Sequence, residues 1–485
     1  MNRCLELAFK GLKDVSPNPM VGSVIVYQGV IIGEGYHKQY GTEHAEVNAI
    51  ASVKDKSLLK NSTLYVNLEP CAHFGKTPPC SNLIIEHEIP KVVIGCVDPF
   101  SDVNGKGIIK MEKAGIKVSV GVLEKESREL NKRFFTFHEK KRPYIILKWA
   151  ESKDGFIAPK NQTAPFWMTS KDSKKLVHQF RAEEDAILVG RITAEKDNPS
   201  LTVREIEGEN PTRIVIDKDL KLSKELNLFN NEAKTVIFNT LQTKEIDSNY
   251  YVKVVFNNLI ESVLEESYKQ KIQSLIIEGG AKTLQSFIDK KLWDEARIFT
   301  ANTILVEGIK APALDGEITS EEEIEGDNLT YYKAFSSVEQ IWKDFVSENN
   351  QYNKLKTPES FFFCDNKKDA DECAELVFNR IKQATAGSLW SYKKDNIDFP
   401  KKGDLFIVTD WEGNAKAIIE TTNIKQVPFN LVTPEFAKTE GEGDKSLTYW
   451  KKVHWDFYSR EMAGYGEKPS EDMIIICEYF KIIYV

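Results

Sequence analysis

The feature that most constrains this chain is a spaced set of metal-binding residue types: His44-Ala45-Glu46, then Pro70-Cys71, then Cys80. One histidine and two cysteines suit zinc, and three protein ligands leave the fourth tetrahedral position open for water. Zinc lowers the pKa of such a water and makes it a nucleophile near neutral pH. His44, Cys71 and Cys80 are therefore predicted to hold zinc in a domain that brings them together. Glu46 is left free to carry protons.

A histidine, a glutamate two positions later and a downstream Pro-Cys pair are typical of zinc-dependent deaminases, which remove an exocyclic amine by hydrolysis. The alternative is a structural zinc site with His73 as the fourth ligand, because closed structural sites are four-coordinate. Glu46 and the apolar, helix-like run after it favour the catalytic interpretation. Eight residues separate Cys71 from Cys80, where general deaminases have two. This polar, basic, turn-prone insert is suited to an anionic substrate.

Composition narrows the remaining possibilities. At 485 residues the chain is too long for one core, and about three domains are expected. A net charge of -8 argues against a general nucleic-acid binder. Seven cysteines without paired spacing fit a reducing compartment. Because we find neither a signal peptide nor a long apolar stretch, we expect a cytoplasmic protein without a membrane partner. A homo-oligomer is compatible with the sequence.

Strand-like and helix-like segments alternate over residues 1–123 and again over 142–334. This alternation predicts an α/β multidomain protein, with ligands at the strand ends. The acidic run over 317–327 is predicted to be a solvated loop. From Ser336 the pattern changes to helical spacing, then strands and dense aromatic residues, which predicts a compact α+β or barrel domain over 336–485.

Residues 1–333 resemble the bifunctional deaminase–reductases of riboflavin biosynthesis, the RibD family. The resemblance covers both α/β domains, and the long cysteine spacing is the family's own. The matching segments are Pro17-Asn18-Pro19-Met20-Val21-Gly22, Gly35-Tyr36-His37, His44-Ala45-Glu46, 68–80, Arg142-Pro143-Tyr144, Ser152-Lys153-Asp154-Gly155, Trp167-Met168-Thr169, Arg181-Ala182-Glu183, 197–204 and Glu278-Gly279-Gly280.

This resemblance implies a cytidine-deaminase-like domain followed by a dihydrofolate-reductase-like domain. The first would deaminate 2,5-diamino-6-(5-phosphoribosylamino)pyrimidin-4(3H)-one, and the second would reduce the resulting aminouracil's ribosyl group with NADPH. Four deaminase residues are predicted to bind substrate, because loop residues on a rigid scaffold often bind ligands. They are Asn18 and His37, for the ring or ribose, and His73 and Lys76, for the phosphate; for each, a turn or surface residue is the alternative.

In the reductase domain the cofactor carries the hydride, so the protein mainly positions two molecules. Arg181 and Arg204 are predicted to bind the substrate phosphate. Asp197 is placed to orient ribose hydroxyls, and Glu278 precedes a glycine pair where backbone can approach a ligand closely. A tight turn is the alternative explanation of that pair. The other candidates for substrate or cofactor are Trp167, Thr169, Thr193 and Leu201.

Two positions depart from the family pattern. Pro165 lies where similar proteins often carry a serine that binds substrate, and the bulky Arg191 follows Gly190. They motivate a competing hypothesis, a monofunctional deaminase with a degenerate reductase domain. A second alternative, an RNA-binding or RNA-editing protein, is disfavoured by the acidic net charge.

Residues 336–485 resemble the ASCH superfamily, small β-barrels related to RNA-binding PUA domains. The matching segments are 382–386, Trp390-Ser391-Tyr392, Gly403-Asp404, 440–444, Trp450 and His454-Trp455. Related amidohydrolases use a lysine, a threonine three residues later and a glutamate, which implies Lys382, Thr385 and Glu442, with Asp444 as an alternative acid.

Three interpretations of Lys382 remain open. A lysine whose pKa falls on burial could activate the hydroxyl of Thr385. A cleft with Lys382, Arg460 and aromatic faces could instead contact a nucleoside or RNA. Lys382 could also be an exposed helix residue without function.

Overall fold

The computed structural model describes residues 1–72, 78–100, 103–161 and 166–485. The chain divides into two compact units, Met1–Ala334 and Phe335–Val485. The first unit contains two large sheets and a short two-stranded one, and the predicted boundary between residues 123 and 142 lies inside this one compact body. Within the described residues, every helix is too short or too polar to cross a membrane.

The first sheet occupies the amino-terminal part of the first unit, in the order β2-β1-β3-β4-β5. β1 runs antiparallel to both of its neighbours, whereas β3, β4 and β5 are parallel. The strands are β1 (Gly22–Tyr27), β2 (Val30–Tyr36), β3 (Thr63–Leu68), β4 (Lys91–Cys96) and β5 (Lys117–Val120). The helices are α1 (Asn2–Phe9), α2 (Ala45–Ser52), α3 (Cys80–Glu86), α4 (Lys106–Lys113), α5 (Glu124–Leu130) and α6 (Lys132–Lys140).

Helix α2 lies directly on the backbone of β2. A Cβ atom at Gly35 would lie 2.3 Å from the backbone nitrogen of Ala49, so only glycine permits this approach. Ala49 and Ile50 of the same helix are buried in the core with Ile25 and Leu64. This packing fixes the amino-terminal end of α2, where His44 and Glu46 are located.

The second sheet has ten strands in the order β11-β12-β10-β9-β8-β13-β6-β14-β17-β16, and a short pair is formed by β15 and β7. Its strands are β6 (Tyr144–Ser152), β8 (Ala186–Gly190), β9 (Thr212–Ile216), β10 (Thr235–Asn239), β11 (Lys244–Ile246), β12 (Asn249–Lys253), β13 (Ser274–Ile277), β14 (Glu295–Ala301), β16 (Glu317–Ile324) and β17 (Asp327–Lys333), and the pair is β7 (Phe156–Ala158) with β15 (Ile309–Lys310). The helices are α7 (Lys171–Glu183), α8 (Arg191–Asp197), α9 (Leu259–Lys269) and α10 (Ala281–Asp289).

The seven strands from β12 to β14 in that order are mutually parallel and buried on both faces. Alternate residues of β6 show this directly, because Ile145 and Leu147 belong to one core cluster and Ile146 to another. Two-sided burial is what an α/β domain with crossover helices requires. The predicted α/β class is confirmed for both domains of the first unit.

The prediction of a solvated loop over 317–327 is wrong. Residues 317–324 form β16, which pairs with β17 at the edge of the sheet. Seven of its eight residues are exposed. The sequence of this strand therefore lacks the alternation of apolar and polar residues from which a half-buried strand is predicted. Charged side chains on an edge strand also discourage pairing with other chains. The acidic residues of 317–324 therefore belong to an edge strand.

The second unit is built on a five-stranded sheet in the order β18-β20-β21-β22-β19. The strands are β18 (Ser360–Phe361), β19 (Ala384–Ser388), β20 (Leu405–Thr409), β21 (Ala415–Pro428) and β22 (Ile474–Tyr484). The helices are α11 (Ser337–Glu348), α12 (Lys367–Phe378), α13 (Leu389–Lys394), α14 (Pro434–Glu440) and α15 (Leu447–Ala463).

The predicted α+β character of this unit is confirmed, but the predicted barrel closure is not. In the described part of the chain the sheet stays open between β18 and β19. β18 has only two residues and pairs with β20, and β19 has five and pairs with β22, so neither edge strand is joined to the other. Buried residues of α12 and α15 pack against the sheet instead.

Candidate zinc centre and neighbouring sites

The three predicted zinc ligands converge at the ends of two helices and a strand. His44 precedes α2, Cys71 follows β3, and Cys80 begins α3. The Nδ1 atom of His44 lies 3.6 Å from the Cys71 Sγ and 3.4 Å from the Cys80 Sγ. The three ligand atoms all lie within 4.8 Å of one another.

These separations fit zinc. Bonds of about 2.1 Å to nitrogen and 2.3 Å to sulfur place tetrahedral ligand atoms roughly 3.6 Å apart. The backbone N–H of Cys80, at the start of α3, donates to the Cys71 Sγ at 3.2 Å. Hydrogen bonding from Cys80, opposed by burial and aided by His44, lowers the pKa of the Cys71 thiol to about 4. Cys71 is therefore poised as a thiolate, the form that binds zinc.

Glu46 lies in the first turn of α2 and is 3% exposed. Burial, reinforced by the negative charge of Cys71, raises the pKa of the Glu46 carboxyl to about 7. The positive charge of a bound zinc acts in the opposite direction. A buried carboxyl group with access to both protonation states is suited to accept and then return a proton.

Two of the four predicted substrate residues of this domain meet at the zinc centre. The Asn18 Nδ2 and the His37 Nε2 are 3.1 Å apart, and the His37 ring lies 5.4 Å from the ring of His44. The His37 Nδ1 is 3.0 Å from the carbonyl oxygen of Glu43 and has to donate to it, which leaves Nε2 to accept from Asn18. Burial lowers the pKa of His37, which keeps the ring neutral. His73 and Lys76 lie outside the described residues.

A cavity of about 770 Å³ opens over Glu46, His44 and Cys71. Its walls come from both domains of the first unit. The amino-terminal domain contributes Asn18, His37, Tyr40, Asp98 and Phe100, and later segments contribute Phe137, His138, Lys141, Tyr268, Lys269, Lys271 and Gln273. The site is therefore completed by α6, the end of α9 and the residues that follow these two helices, which the sequence motifs did not indicate.

Glu69 was part of a matched motif without an assigned role. Its carboxylate accepts from the backbone N–H groups of Asp98, Gly105, Gly107 and Ile108 at 2.9 to 3.3 Å. These bonds tie the end of β3, next to Cys71, to the loop after β4 and the start of α4. Asp98 lines the cavity, and burial raises the pKa of its carboxyl to about 7.

In the second sheet, Glu278 follows β13 and binds two cations. The Lys148 Nζ lies 2.9 Å from its Oε1, and the Arg181 Nη2 lies 3.0 Å from its Oε2. Burial alone would raise the pKa of Glu278, but Arg181 and Lys148 bring it down to about 2. Sequence reasoning missed Lys148. The signal was a charged residue inside the apolar strand β6.

The structure changes the view of Arg181, for which we predicted a phosphate contact. Arg181 is 5% exposed and directed toward Glu278, so its guanidinium is not presented to a ligand on the surface. Arg204 is exposed, and its Nη1 contacts only the Thr202 hydroxyl, at 3.3 Å, among the described groups. Of the two arginines, Arg204 is the exposed one, and its phosphate contact stays a prediction.

The remaining predicted reductase residues occupy different surroundings. Thr193 lies in α8, with its hydroxyl 3.1 Å from where a Cβ at Gly280 would stand. Asp197 ends α8, and Leu201 is buried with a left-handed backbone. Trp167 is 59% exposed, and Thr169 is half-buried just before α7.

Of the two positions that depart from the family pattern, Arg191 and Pro165, the structure describes only Arg191. Arg191 begins α8 and forms an ion pair with Glu195, at 2.6 Å, on the helix surface. The bulky side chain of Arg191 is therefore accommodated on the surface of α8. Pro165 lies outside the described residues.

In the second unit, Lys382 lies between α12 and β19 and is 1% exposed, so the interpretation as an exposed helix residue is wrong. Its Nζ lies 3.1 Å from the Glu440 Oε1 and 2.5 Å from the Glu442 Oε1. Burial alone would lower the lysine pKa, but the two carboxylates outweigh it, and the pKa of Lys382 is raised. The two carboxylates therefore favour the charged form of Lys382 over the neutral base of the first interpretation.

Of the residues proposed with Lys382, Glu442 is in contact with it, whereas Thr385, Asp444 and Arg460 share no described contact with it. Thr385 lies on β19 opposite Glu478, and none of the contacts described for Lys382 involves it. Asp444 is exposed and accepts from the Ser446 N–H in a turn. Arg460 is engaged in an ion pair with Asp365.

Comparison with known proteins agrees with these domains. Residues 1–96 match the family model of the cytidine and deoxycytidylate deaminase zinc-binding region. Residues 143–324 match that of the RibD C-terminal domain, and residues 359–484 match that of the ASCH domain.

Curated relatives cover the first unit. The riboflavin biosynthesis protein RibD of Aquifex aeolicus is 40% identical over 315 residues, which are 64% of this chain and 88% of the relative. RibD of Bacillus amyloliquefaciens is 39% identical over 324 residues, covering 65% of this chain and 86% of the relative.

Solved structures agree as well. A diaminohydroxyphosphoribosylaminopyrimidine deaminase/5-amino-6-(5-phosphoribosylamino)uracil reductase from Thermotoga maritima is 37% identical, with a TM-score of 0.63, covering 69% of this chain and 97% of that chain. RibD of Acinetobacter baumannii is 28% identical, with a TM-score of 0.64, covering 69% of this chain and 98% of that chain.

The fold and the ligand set define a zinc-dependent deaminase domain joined to a second α/β domain in one compact unit. The matched region spans nearly all of each relative and both α/β domains of this chain. The chain belongs to the riboflavin biosynthesis protein RibD family, and it carries an ASCH domain after the family's two domains.

Proposed function

We propose that this chain is a bifunctional enzyme of riboflavin biosynthesis. It deaminates 2,5-diamino-6-(5-phosphoribosylamino)pyrimidin-4(3H)-one and then reduces 5-amino-6-(5-phosphoribosylamino)uracil to the ribitylamino product with NADPH. The observation that carries the proposal is the convergence of His44, Cys71 and Cys80 beside the buried Glu46, in a cavity that the RibD-type second domain completes.

In the deamination, His44, Cys71 and Cys80 would hold a zinc ion, which would act as a Lewis acid and make water nucleophilic near neutral pH. Glu46 takes the proton of that water and delivers it to the departing ammonia. The His37 Nε2 and the Asn18 amide, joined by their hydrogen bond, hold the pyrimidine ring or ribose. The walls of the cavity limit access of bulk water to these groups.

The substrate's phosphate requires cations at the mouth of the cavity. Lys141 and Lys271 line it, from the chain that follows α6 and α9, and both have left-handed backbones. Lys269 also lines it but is paired with Glu265 at 2.7 Å. Lys141 and Lys271 are thus the described lysines of this wall without a described ion pair, and we assign them to the phosphate.

In the reduction, NADPH supplies a hydride to the sugar carbon, and the sugar oxygen then needs a proton. Lys148, held by Glu278 at 2.9 Å, has an ammonium proton to give. Arg181 fixes Glu278 from the other side, at 3.0 Å, and thereby positions the lysine. Arg204 is assigned to the substrate phosphate.

The test is a pair of assays on the zinc-loaded full chain. Ammonia release from the diaminopyrimidine measures the first step, and NADPH oxidation with the aminouracil measures the second. Activity in both supports the bifunctional enzyme. Ammonia release without NADPH oxidation would favour the monofunctional deaminase, and no release from the pyrimidine despite bound zinc would refute the substrate.

The RNA-editing alternative has less support, because no family model matched by this chain describes an RNA deaminase and the relatives are riboflavin enzymes. A gel-shift assay with RNA separates the two proposals. Retention of RNA at physiological salt, together with inactivity on the pyrimidine, would reverse the preference.

A further inference from the structure

Two cysteines of the second unit lie in contact, and the proposed activities use neither of them. The Cys364 Sγ is 3.8 Å from the Cys373 Sγ, close to the contact distance of two sulfur atoms. Cys364 lies between β18 and α12, and Cys373 lies within α12. Both are free thiols.

The two thiols differ in access. Cys364 is half-buried, whereas Cys373 is 4% exposed. Cys364 is therefore the member of the pair that is open to solvent, whereas Cys373 is shielded. Contact with Cys364, together with burial, raises the pKa of the Cys373 thiol, which favours its protonated form.

The segment that carries Cys364 is held in place. Its neighbour Asp365 accepts two hydrogen bonds from the Arg460 guanidinium, at 2.9 and 3.0 Å. The next residue, Asn366, caps α12 by accepting from the Asp369 N–H at 3.1 Å. Cys364 itself has a φ of 67°, a conformation that a non-glycine residue adopts at a cost. The pair is thus held by its surroundings.

The buried thiol also contacts the charged cluster of this domain. The Cys373 Sγ donates to the Glu442 Oε1 at 3.4 Å, and the same oxygen lies 2.5 Å from the Lys382 Nζ. A change in the oxidation state of Cys373 would therefore remove a hydrogen-bond donor from Glu442. The proton acceptor that the reaction needs is already in contact with the thiol.

We propose that Cys364 and Cys373 form a thiol–disulfide exchange site, whose substrate is a low-molecular-weight disulfide. Cys364, as its thiolate, attacks one sulfur of that disulfide, which breaks the S–S bond and releases one small thiolate. The sulfur of Cys373 then attacks the Cys364 sulfur of the mixed disulfide and expels the second small thiolate. The proton of Cys373 passes through Glu442 to that departing thiolate, which leaves Glu442 ionised. Two protein thiols are oxidised, and one small disulfide is reduced to two thiols.

Little movement is needed. The two sulfur atoms must approach from 3.8 Å to a bond length of about 2.0 Å. Once the disulfide forms, Glu442 keeps its ion pair with Lys382 but loses the hydrogen bond from Cys373. The oxidation state of the two cysteines therefore changes the contacts of this buried charge cluster.

The experiment treats the zinc-loaded full chain with oxidised glutathione, with zinc bound so that Cys71 and Cys80 are occupied. Free thiols are counted, and peptide mass mapping without reductant identifies the linked pair. We expect the loss of two thiols, a cross-link between the peptides of residues 364 and 373, and full reversal by reduced glutathione. Cys364→Ser should abolish the cross-link.

The matched control is Cys477→Ser, which removes a buried thiol of the same domain and should leave the cross-link intact. Cys373→Ser should stop the reaction at a mixed disulfide on Cys364; should this buried variant fold poorly, the half-buried Cys364→Ser still decides the question. Wild-type protein that keeps both thiols, or that accumulates only the mixed disulfide, would overturn the proposal.

Discussion

The side-chain amide of Gln273 donates to the carbonyl oxygen of Pro17 at 2.7 Å. This bond joins the segment after α9 to the loop before β1, 256 residues earlier in the chain. Both residues line the cavity over Glu46, so the second domain supplies part of the deaminase wall. The deaminase domain of this chain is thus shaped by residues outside its own motif.

The first prediction concerns the two lysines of that wall. Lys271→Ala should raise the KM for the phosphorylated diaminopyrimidine about fivefold, as expected from the loss of about 1 kcal/mol of exposed electrostatic attraction. The combined Lys141→Ala, Lys271→Ala variant should show a larger increase. Steady-state ammonia release measures both, and the increase should shrink at high salt because the charges are exposed.

The control for this prediction is Lys291→Ala, which removes a lysine with the same left-handed backbone outside the cavity lining. It should leave KM unchanged. The unphosphorylated riboside provides a second comparison, since its KM should not respond to Lys271→Ala. An equal rise in KM for both substrates would show that Lys271 acts on something other than the phosphate.

The second prediction separates metal binding from proton transfer. Glu46→Gln should lower ammonia release at least about a hundredfold, because proton transfer is lost while the ligands remain. Metal analysis should still find zinc, and NADPH oxidation with the aminouracil should be unaffected. Glu43→Gln, at an exposed position of the preceding loop, is the control. Loss of zinc in Glu46→Gln would mean that the carboxylate is a ligand after all.

The third prediction concerns the pair formed by Lys148 and Glu278. Lys148→Met preserves the length of the side chain but removes its proton donor. We expect NADPH oxidation to fall by about a hundredfold or more, and ammonia release to stay at the wild-type level. Lys253→Met, at the exposed end of β12, should affect neither step. Reduction at the normal rate in Lys148→Met would assign the proton to another group.

The zinc ligands and Glu46 could be predicted because the chemistry fixes residue type and spacing together. The same holds for the α/β alternation, since two-sided burial of parallel strands leaves a continuous apolar pattern in segments such as β8 and β10. Lys148 was missed because one charge within β6 looks like an exception until Glu278, 130 residues later, is brought beside it.

The surroundings of other residues could not be predicted because their partners are distant in sequence. Arg181 looked free for phosphate because Glu278 lies 97 residues away. Lys382 was open to three interpretations until Glu440 and Glu442 were found beside it. The prediction of a loop at β16 failed for a different reason. Its partner β17 follows directly in the chain, but seven of its eight residues are exposed, so its sequence carries no pattern of buried positions.

The last prediction concerns the buried carboxylate of the second unit. Glu440 accepts from the Trp450 indole N–H and lies 3.1 Å from the Lys382 Nζ and 3.5 Å from the His454 Nε2. Burial alone would raise the pKa of Glu440, but Lys382 and then His454 lower it to about 2. An unfolded glutamate has a pKa of about 4.3.

A carboxyl group whose pKa is depressed on folding stabilises the folded state above its unfolded pKa. That contribution is lost as the pH falls through the folded value. The second unit should therefore lose stability between about pH 4.3 and pH 2, measured as faster hydrogen exchange of the α15 amides in the full chain, corrected for intrinsic rates.

Glu440→Gln should remove the loss of stability of the second unit that Glu440 causes between about pH 4.3 and pH 2. At pH 7 it should destabilise the unit by about 3 to 5 kcal/mol, because Lys382 loses one of its two buried partners. Glu375→Gln, which breaks the surface pair with Lys416, should cost less than about 1 kcal/mol. Equal protection of α15 in Glu440→Gln and wild type from pH 7 to pH 2 would show that the charge of Glu440 does not stabilise this fold.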